Sequence, residues 1–250
     1  MSMPRCLWDV RGPSCASYTA TLLLLPHSGG SAQSFSGWGR WFPTEVRVVA
    51  MQYPGRGSRL REPLAYDLQE VVAELVEAVS EIPGPLCVFG HSLGAFVGFE
   101  FCWQIESLGR TPVAFFASAA VPLHLHKPYA RSPRELSDDE LLDVLTEYGG
   151  TPQGLNAAPE LMHMALGVCR SDIALAHEYR FGSARRRLRS PIVALGGETD
   201  PAVSADLLVE WQHLTGEYCK IHTFPGGHFY HFEDTAAVTA VMREHLRRLA

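Results

Sequence analysis

One serine of the chain stands where a serine can attack. Gly90-His91-Ser92-Leu93-Gly94 follows the apolar run Leu86-Cys87-Val88-Phe89 and opens a longer apolar stretch. A G-x-S-x-G segment between a strand and a helix forms a tight, strained turn that holds the hydroxyl clear of the chain. Side chains at Gly90 and Gly94 would strike the neighbouring turn. The helix N-terminus below Ser92 favours the negative charge that develops in acyl transfer. A serine hydroxyl needs a base to take its proton. His228 suits that role, because Pro225-Gly226-Gly227 lets its imidazole turn back over the strands after the apolar run Lys220–Phe224. His231 is the rival, but it lacks that flexible approach and starts the next element; His91 is expected to pack beside the nucleophile.

The base in turn needs a carboxylate to hold its tautomer and stabilise the imidazolium. Asp200 lies in Gly196-Gly197-Glu198-Thr199-Asp200-Pro201, after the run Pro191–Leu195. Carboxyl ends of parallel strands face the crevice where chemistry occurs, which places this loop well. Ala117-Ser118-Ala119-Ala120-Val121-Pro122 has no carboxylate; Glu198 and Glu233 are weaker candidates, and Asp200 could also be a plain turn residue before proline. Acyl transfer also needs donors for an oxyanion. The Leu93 amide follows the nucleophile, and the Ser28 amide in Pro26-His27-Ser28-Gly29-Gly30-Ser31 is the second choice. Alone, His27-Ser28-Gly29-Gly30 would be only a turn.

The elements that must position these residues alternate short apolar runs with amphipathic stretches, the pattern of an α/β fold with a mostly parallel sheet. The runs Ala20–Leu25, Val46–Tyr53, Leu86–Phe89, Pro112–Ala120, Pro191–Leu195 and Lys220–Phe224 are nearly continuously hydrophobic, as strands covered on both faces are. Helices are expected over Leu68–Ile82, Ser92–Leu108, Ala202–Thr215 and Ala236–Leu249. From about Leu123 to Arg189 the rhythm breaks. Ser137-Asp138-Asp139-Glu140 is a capping-box pattern ahead of Leu141, Leu142 and Leu145, and Glu160–Tyr179 is a second helical stretch. An insertion between nucleophile and partners is expected to be a lid over the site, the alternative being a helical hairpin on the side of the sheet. The 250 residues, with 46% hydrophobic content, fit a single domain over residues 1–250.

A formal net charge of -6 argues against a nucleic-acid partner, which would require a basic surface. Arg185-Arg186-Arg187 with Arg189 suits a solvated loop. Cys6, Cys15, Cys87, Cys102, Cys169 and Cys219 form neither a C-x-x-C pair nor a zinc spacing, and scattered thiols suit the reducing cytoplasm. Residues 1–17 contain no signal-like apolar stretch, and Thr21–Pro26 is too short to span a bilayer, so no membrane association is expected. His124/His126 and His228/His231 lack supporting ligands for a metal, and no cofactor is expected.

Taken together, Leu25-Pro26-His27-Ser28-Gly29-Gly30-Ser31-Ala32, Tyr53-Pro54-Gly55-Arg56-Gly57, Phe89-Gly90-His91-Ser92-Leu93-Gly94-Ala95, Leu195–Pro201 and Pro225–Phe229 resemble the type II thioesterases of polyketide and nonribosomal peptide pathways. The blocks stand in that family's order and span nearly the whole chain. The resemblance implies an α/β-hydrolase fold with a helical lid, and a triad of Ser92, Asp200 and His228 with Ser28 and Leu93 as oxyanion donors. It also implies an editing role: release of stalled or aberrant acyl groups from the phosphopantetheine arm of acyl or peptidyl carrier proteins. Ser28 stands where the family often has alanine, a change that a backbone donor survives. Arg56 and Arg59 are expected to make ordinary surface salt bridges, the alternative being that they orient the entrance loop, and Arg56, Arg59, Arg61 and Arg185-Arg186-Arg187 could form a basic rim for an acidic carrier. A small-ester esterase, an acyl-coenzyme A thioesterase, an acyltransferase and a non-catalytic carrier-docking module are the alternatives.

Overall fold

The computed structural model describes residues 3–12, 18–128, 130–150, 159–182 and 186–246. Cys15, Arg185 and part of the insertion (151–158) lie outside the described residues. Seven strands form one sheet in the order β1-β3-β2-β4-β5-β6-β7. They are β1 Leu7–Asp9, β2 Ala20–Leu25, β3 Val46–Met51, β4 Leu86–His91, β5 Ala114–Ser118, β6 Ile192–Gly197 and β7 Cys219–Phe224. All neighbours are parallel except β1, which runs antiparallel to β3 with Leu7 opposite Met51. The edge strand β1 is not among the expected strands: with only three residues it shows no alternation of its own.

Each side chain of β2, β4, β5 and β6 is buried, which explains their unbroken apolar runs. Leu23, Leu25, Val49 and Val88 face one core with α1 (Leu68–Ser80) and α2 (Leu93–Ser107). Leu22, Leu24, Val48 and Phe89 face the other, with Phe35, Trp38 and α7 (Thr235–Leu246). The register pairs Leu25 with Gly90, Gly90 with Ala117, Ser118 with Leu195, and Gly197 with Phe224, so every loop expected to carry chemistry leaves the same edge of the sheet.

The insertion contains α3 (Asp138–Glu147) and α4 (Pro159–Glu178). The capping box is present: Ser137 Oγ accepts the Glu140 N–H, and the Glu140 carboxylate accepts the Ser137 N–H. Leu141, Leu145, Leu166, Cys169 and Ile173 form a small core of its own. The single helix expected over Ala202–Thr215 is instead α5 (Ala205–Val209) followed by a tight 3-10 turn, Glu210–Leu214. The tightening buries Trp211 completely and lets its indole N–H donate to the Ala120 carbonyl at 3.0 Å. The short α6 (Tyr230–Glu233) precedes α7.

The two kinds of core should respond differently to truncation. Leu22→Ala, at a fully buried strand position, is expected to cost about 2–5 kcal/mol in urea unfolding. Leu141→Ala should lower hydrogen-exchange protection in α3 and α4 while sparing the strand amides. Equal loss of protection in helices and strands would mean that insertion and sheet open as one unit.

Candidate active site

Ser92 has φ 54° and ψ −117°, a conformation that side chains seldom adopt. It is held there by contacts on both sides. Its N–H donates to the Ser118 carbonyl at 2.8 Å, and its carbonyl accepts the Ala95 N–H at 2.9 Å. A Cβ at Gly90 would stand 2.1 Å from the Gly94 carbonyl oxygen, and one at Gly94 would stand 2.1 Å from that of Leu25. Only glycine therefore allows the turn to close and to lie against the end of β2.

His228 and Asp200 come from neighbouring loops after β7 and β6. The loops are laced together: the Glu198 N–H donates to the Phe224 carbonyl at 2.8 Å, and the Thr199 N–H to that of Gly226 at 3.0 Å. The Asp200 carboxylate is fully buried; its Oδ2 accepts from His228 Nδ1 at 2.8 Å and its Oδ1 accepts the Ala202 N–H at 2.9 Å. With the proton held on Nδ1, the other ring nitrogen of neutral His228 is the basic one. Glu198 is exposed, and Glu233 lies beside Gly226.

Ser92, Leu93, Ser28 and His228 all line one cavity of about 870 Å³. Among the described residues the Ser28 and Leu93 amides donate to no protein acceptor, as donors kept for a substrate oxygen would be. Phe96, Val144, Leu145, Val168, Ile173 and Leu207 supply apolar wall, so both helices of the insertion contribute to the cavity. The Tyr148 ring meets His228 edge-on, with centroids 5.4 Å apart. Cys169 also lines the cavity, but burial pushes its thiol up to about 12, out of the range of a nucleophile. The arrangement can transfer an acyl group through serine.

Of the other histidines, His91 and His231 are fully buried beside the elbow. His91 turns away from the cavity and shares a hydrogen bond with Ser118 Oγ at 2.9 Å, which shares another with the Tyr230 hydroxyl at 2.6 Å. His231 is fully buried, its ring 4.0 Å from that of His91 and packed against Trp38, Phe89 and Phe232. His124 faces Glu210, and His126 packs edge-on against Phe96.

Two expectations about arginines are corrected. Arg56 and Arg59 are buried, not surface residues. Arg56 pairs through both terminal nitrogens with Asp172 of α4, and Arg59 pairs with Glu62 and Glu74. Arg186 is spent on Glu100, a buried carboxylate of α2, at 2.7 and 2.9 Å, and lies over the Trp103 ring. A docking rim cannot use these three cations, because their charges face inward; Arg61 and Arg187 are exposed. Asp172 was not singled out from the sequence. Its signal was present: a carboxylate directly before Ile173-Ala174-Leu175 and one turn after Cys169, on the apolar side of the helix, has to find a buried partner.

The comparisons with known proteins follow the same lines. The thioesterase domain family matches residues 20–249. The chain belongs to this family. The structure of the type II thioesterase BorB from the borrelidin biosynthetic cluster is 32% identical, covers 98% of this chain and 99% of its own, and superposes with a TM-score of 0.88. Thioesterase PikA5 of Streptomyces venezuelae is 32% identical over 90% of this chain and 80% of its own length. The AMB antimetabolite synthetase AmbE of Pseudomonas aeruginosa is 34% identical over 97% of this chain, which spans only 11% of that synthetase. The expected α/β-hydrolase fold and type II thioesterase kinship both hold, and the protein is a serine hydrolase acting on thioesters. No helix among the described residues is long and apolar enough to cross a membrane.

The buried histidines make stability depend on pH. Burial, before the neighbouring positive groups, holds His27 at about 4 and His91 and His231 well below 6.5. Above pH 6.5 they are neutral whether the chain is folded or not, so nothing is lost there. Below it the unfolded chain takes up protons that the fold refuses, and stability falls by up to ~1.4 kcal/mol per pH unit for each histidine. Urea midpoints measured from pH 7.5 to 5 should therefore drop on acidification. His231→Phe should flatten that slope; an unchanged slope would mean that His231 is protonated in the fold.

Proposed function

We infer that the protein frees acyl groups from the phosphopantetheine arm of acyl or peptidyl carrier proteins, through an acyl-enzyme on Ser92. The observation that carries this reading is the buried Asp200–His228 pair at 2.8 Å, set at the wall of an apolar cavity shared with Ser92 and Ser28. The kinship with thioesterases of biosynthetic clusters supports carrier-bound substrates. Residues 1–250 are read as one domain, with 123–189 as its lid, working in the cytoplasm where free thiols persist.

In this reading the Ser92 hydroxyl oxygen attacks the thioester carbonyl while His228 Nε2 takes its proton. The Ser28 and Leu93 amides hold the oxyanion, and Asp200 stabilises the imidazolium. Collapse breaks the carbon–sulfur bond, and the imidazolium returns its proton to the departing thiolate. Water then enters, gives a proton to His228 and attacks the acyl-enzyme; Ser92 leaves with that proton and the free acid departs. The apolar walls exclude bulk water and receive the acyl chain. Lys127 is exposed at the cavity, and in this reading it meets the phosphate of the arm.

Ser92→Ala should abolish both turnover and labelling by a fluorophosphonate. Asp200→Asn should lower kcat on the order of 10⁴-fold with the fold intact; near-full activity would remove Asp200 from the triad. Matched acyl groups on a carrier protein and on coenzyme A separate the two substrate readings. Higher kcat/KM for the carrier, shrinking as salt rises, is expected. Preference for the coenzyme A thioester at every salt concentration would leave a metabolic thioesterase instead.

A further inference from the structure

Residues 26–32 are gripped by buried side chains at four of their peptide groups. The Tyr53 hydroxyl donates to the Pro26 carbonyl at 3.1 Å, Arg56 Nη1 donates to the Gly30 carbonyl at 3.2 Å, and Gln52 Oε1 accepts the Ala32 N–H at 3.3 Å. These three residues belong to the chain that leaves β3. The fourth grip comes from elsewhere: Asp172 Oδ2, in α4 of the insertion, accepts the Gly29 N–H at 2.8 Å. The same carboxylate is clamped by Arg56, so one buried ion pair holds Gly29 on one side and Gly30 on the other.

The gripped residues are the tip of a turn. The Gly30 N–H donates to the His27 carbonyl at 2.9 Å, and Gly29 has φ +78° while Ser28 does not take positive φ. That is a type II turn with glycine at its required third position. Ser28 is its second residue. A Cβ at Gly29 would stand 2.5 Å from Cys169 Sγ, so α4 touches the turn one helical step before Asp172 as well. Near its base α4 is seated in the scaffold: Ser171, Asp172 and Ala174 are buried, and Ser171 Oγ donates to the Ala65 carbonyl at 2.6 Å.

We propose that Asp172 is a positioning residue for the oxyanion hole: by holding Gly29 and Arg56 it seats the turn that carries the Ser28 amide against the Ser92 elbow. The proposal rests on the reading of Ser28 and Leu93 as oxyanion donors. An oxyanion donor works only within a few tenths of an ångström of its place, and a misplacement of about 1 Å can cost ~10²-fold in rate. The hole is then complete only while the base of α4 is docked. On this proposal the part of α4 beyond Cys169 belongs to the catalytic frame, and any lid motion is left to α3 and the first turns of α4.

The test uses the whole protein, a hexanoyl-pantetheine thioester, an alkyl trifluoromethyl ketone that adds to Ser92 and presents an oxyanion, and the matching thioether, which presents none. Asp172→Asn should lower kcat about 10- to 100-fold with KM within about twofold, and weaken the ketone by the same factor while thioether binding holds. Arg56→Lys keeps the charge but loses the two-pronged grip, and should show the same pattern to a smaller degree; it carries the test if Asp172→Asn does not fold. Unchanged kcat and ketone affinity in a folded variant would overturn the proposal. So would equal loss of ketone and thioether, which is the mark of a collapsed pocket. Fluorophosphonate labelling of the unaltered protein reports on the underlying reading: labelling with an indifferent Asp172→Asn sinks only the positioning role, and absence of labelling sinks the triad itself.

Discussion

The contact on which the rest of the site depends is between two backbones. Gly94, in the first turn of α2, lies so near the end of β2 that a methyl group there would overlap the Leu25 carbonyl oxygen. This one approach sets the distance between the loop after β2 and the elbow after β4. The first carries the Ser28 amide and the second carries Ser92 and the Leu93 amide, so this backbone contact limits how near the proposed donors and nucleophile can come, and the buried side chains that grip residues 26–32 act on top of it. The contact is stiff because it is a hard-sphere approach of two backbones held by sheet hydrogen bonds. The strained backbone of Ser92 persists for the same reason: the sheet on one side and the helix on the other over-determine it.

The insertion is tied into this frame by buried charge. Glu100 of α2 takes Arg186 and the Tyr179 hydroxyl, and Glu106 takes the N–H groups of Arg189 and Ser190. These bonds dock the chain as it returns from the insertion to β6. Asp172 with Arg56 docks the middle of α4. A buried ion pair is weak evidence for stability, because desolvation offsets much of the attraction. Its geometric demand is strong: the partners must meet in one arrangement, and the helix that carries one of them is thereby registered on the loop that carries the other. Stability comes instead from the sheet and its two apolar faces, where the largest fully buried side chains are Trp211, Tyr53, Tyr230 and a set of phenylalanines and leucines.

The histidines show how environment divides roles among like residues. Four lie close together near Ser92, yet only His228 has a carboxylate on its ring. His91 is committed to Ser118, and His231 sits among aromatic rings with no hydrogen-bond partner among the described residues. Burial keeps His27, His91 and His231 neutral, and that neutrality spares the site extra positive charges, which would oppose formation of the His228 imidazolium.

Much of this protein was legible from the residues in order. The elbow, the glycine approach to His228, the loop that holds Asp200 and the two helices of the insertion all rest on local rules: turns need glycine, strands buried on both faces read as apolar runs, and helix starts need caps. Those rules involve neighbours in the chain, so the chain displays them. The errors have the opposite character. Arg56 and Arg186 look like surface cations because nothing within a few residues neutralises them, and Arg59 because a pair with nearby Glu62 is what an exposed arginine would also make; the carboxylates that draw them inward, Asp172, Glu100 and, for Arg59, Glu74, lie farther away in sequence. β1 was invisible because three residues have no period, and the helix after Asp200 broke into a 3-10 turn because Trp211 had to reach the Ala120 carbonyl. By itself the sequence determined which groups could do the chemistry and which segments could carry them. Only the tertiary structure decided which charges meet, because a buried ion pair is specified by the approach of distant segments and leaves no mark on the spacing of either.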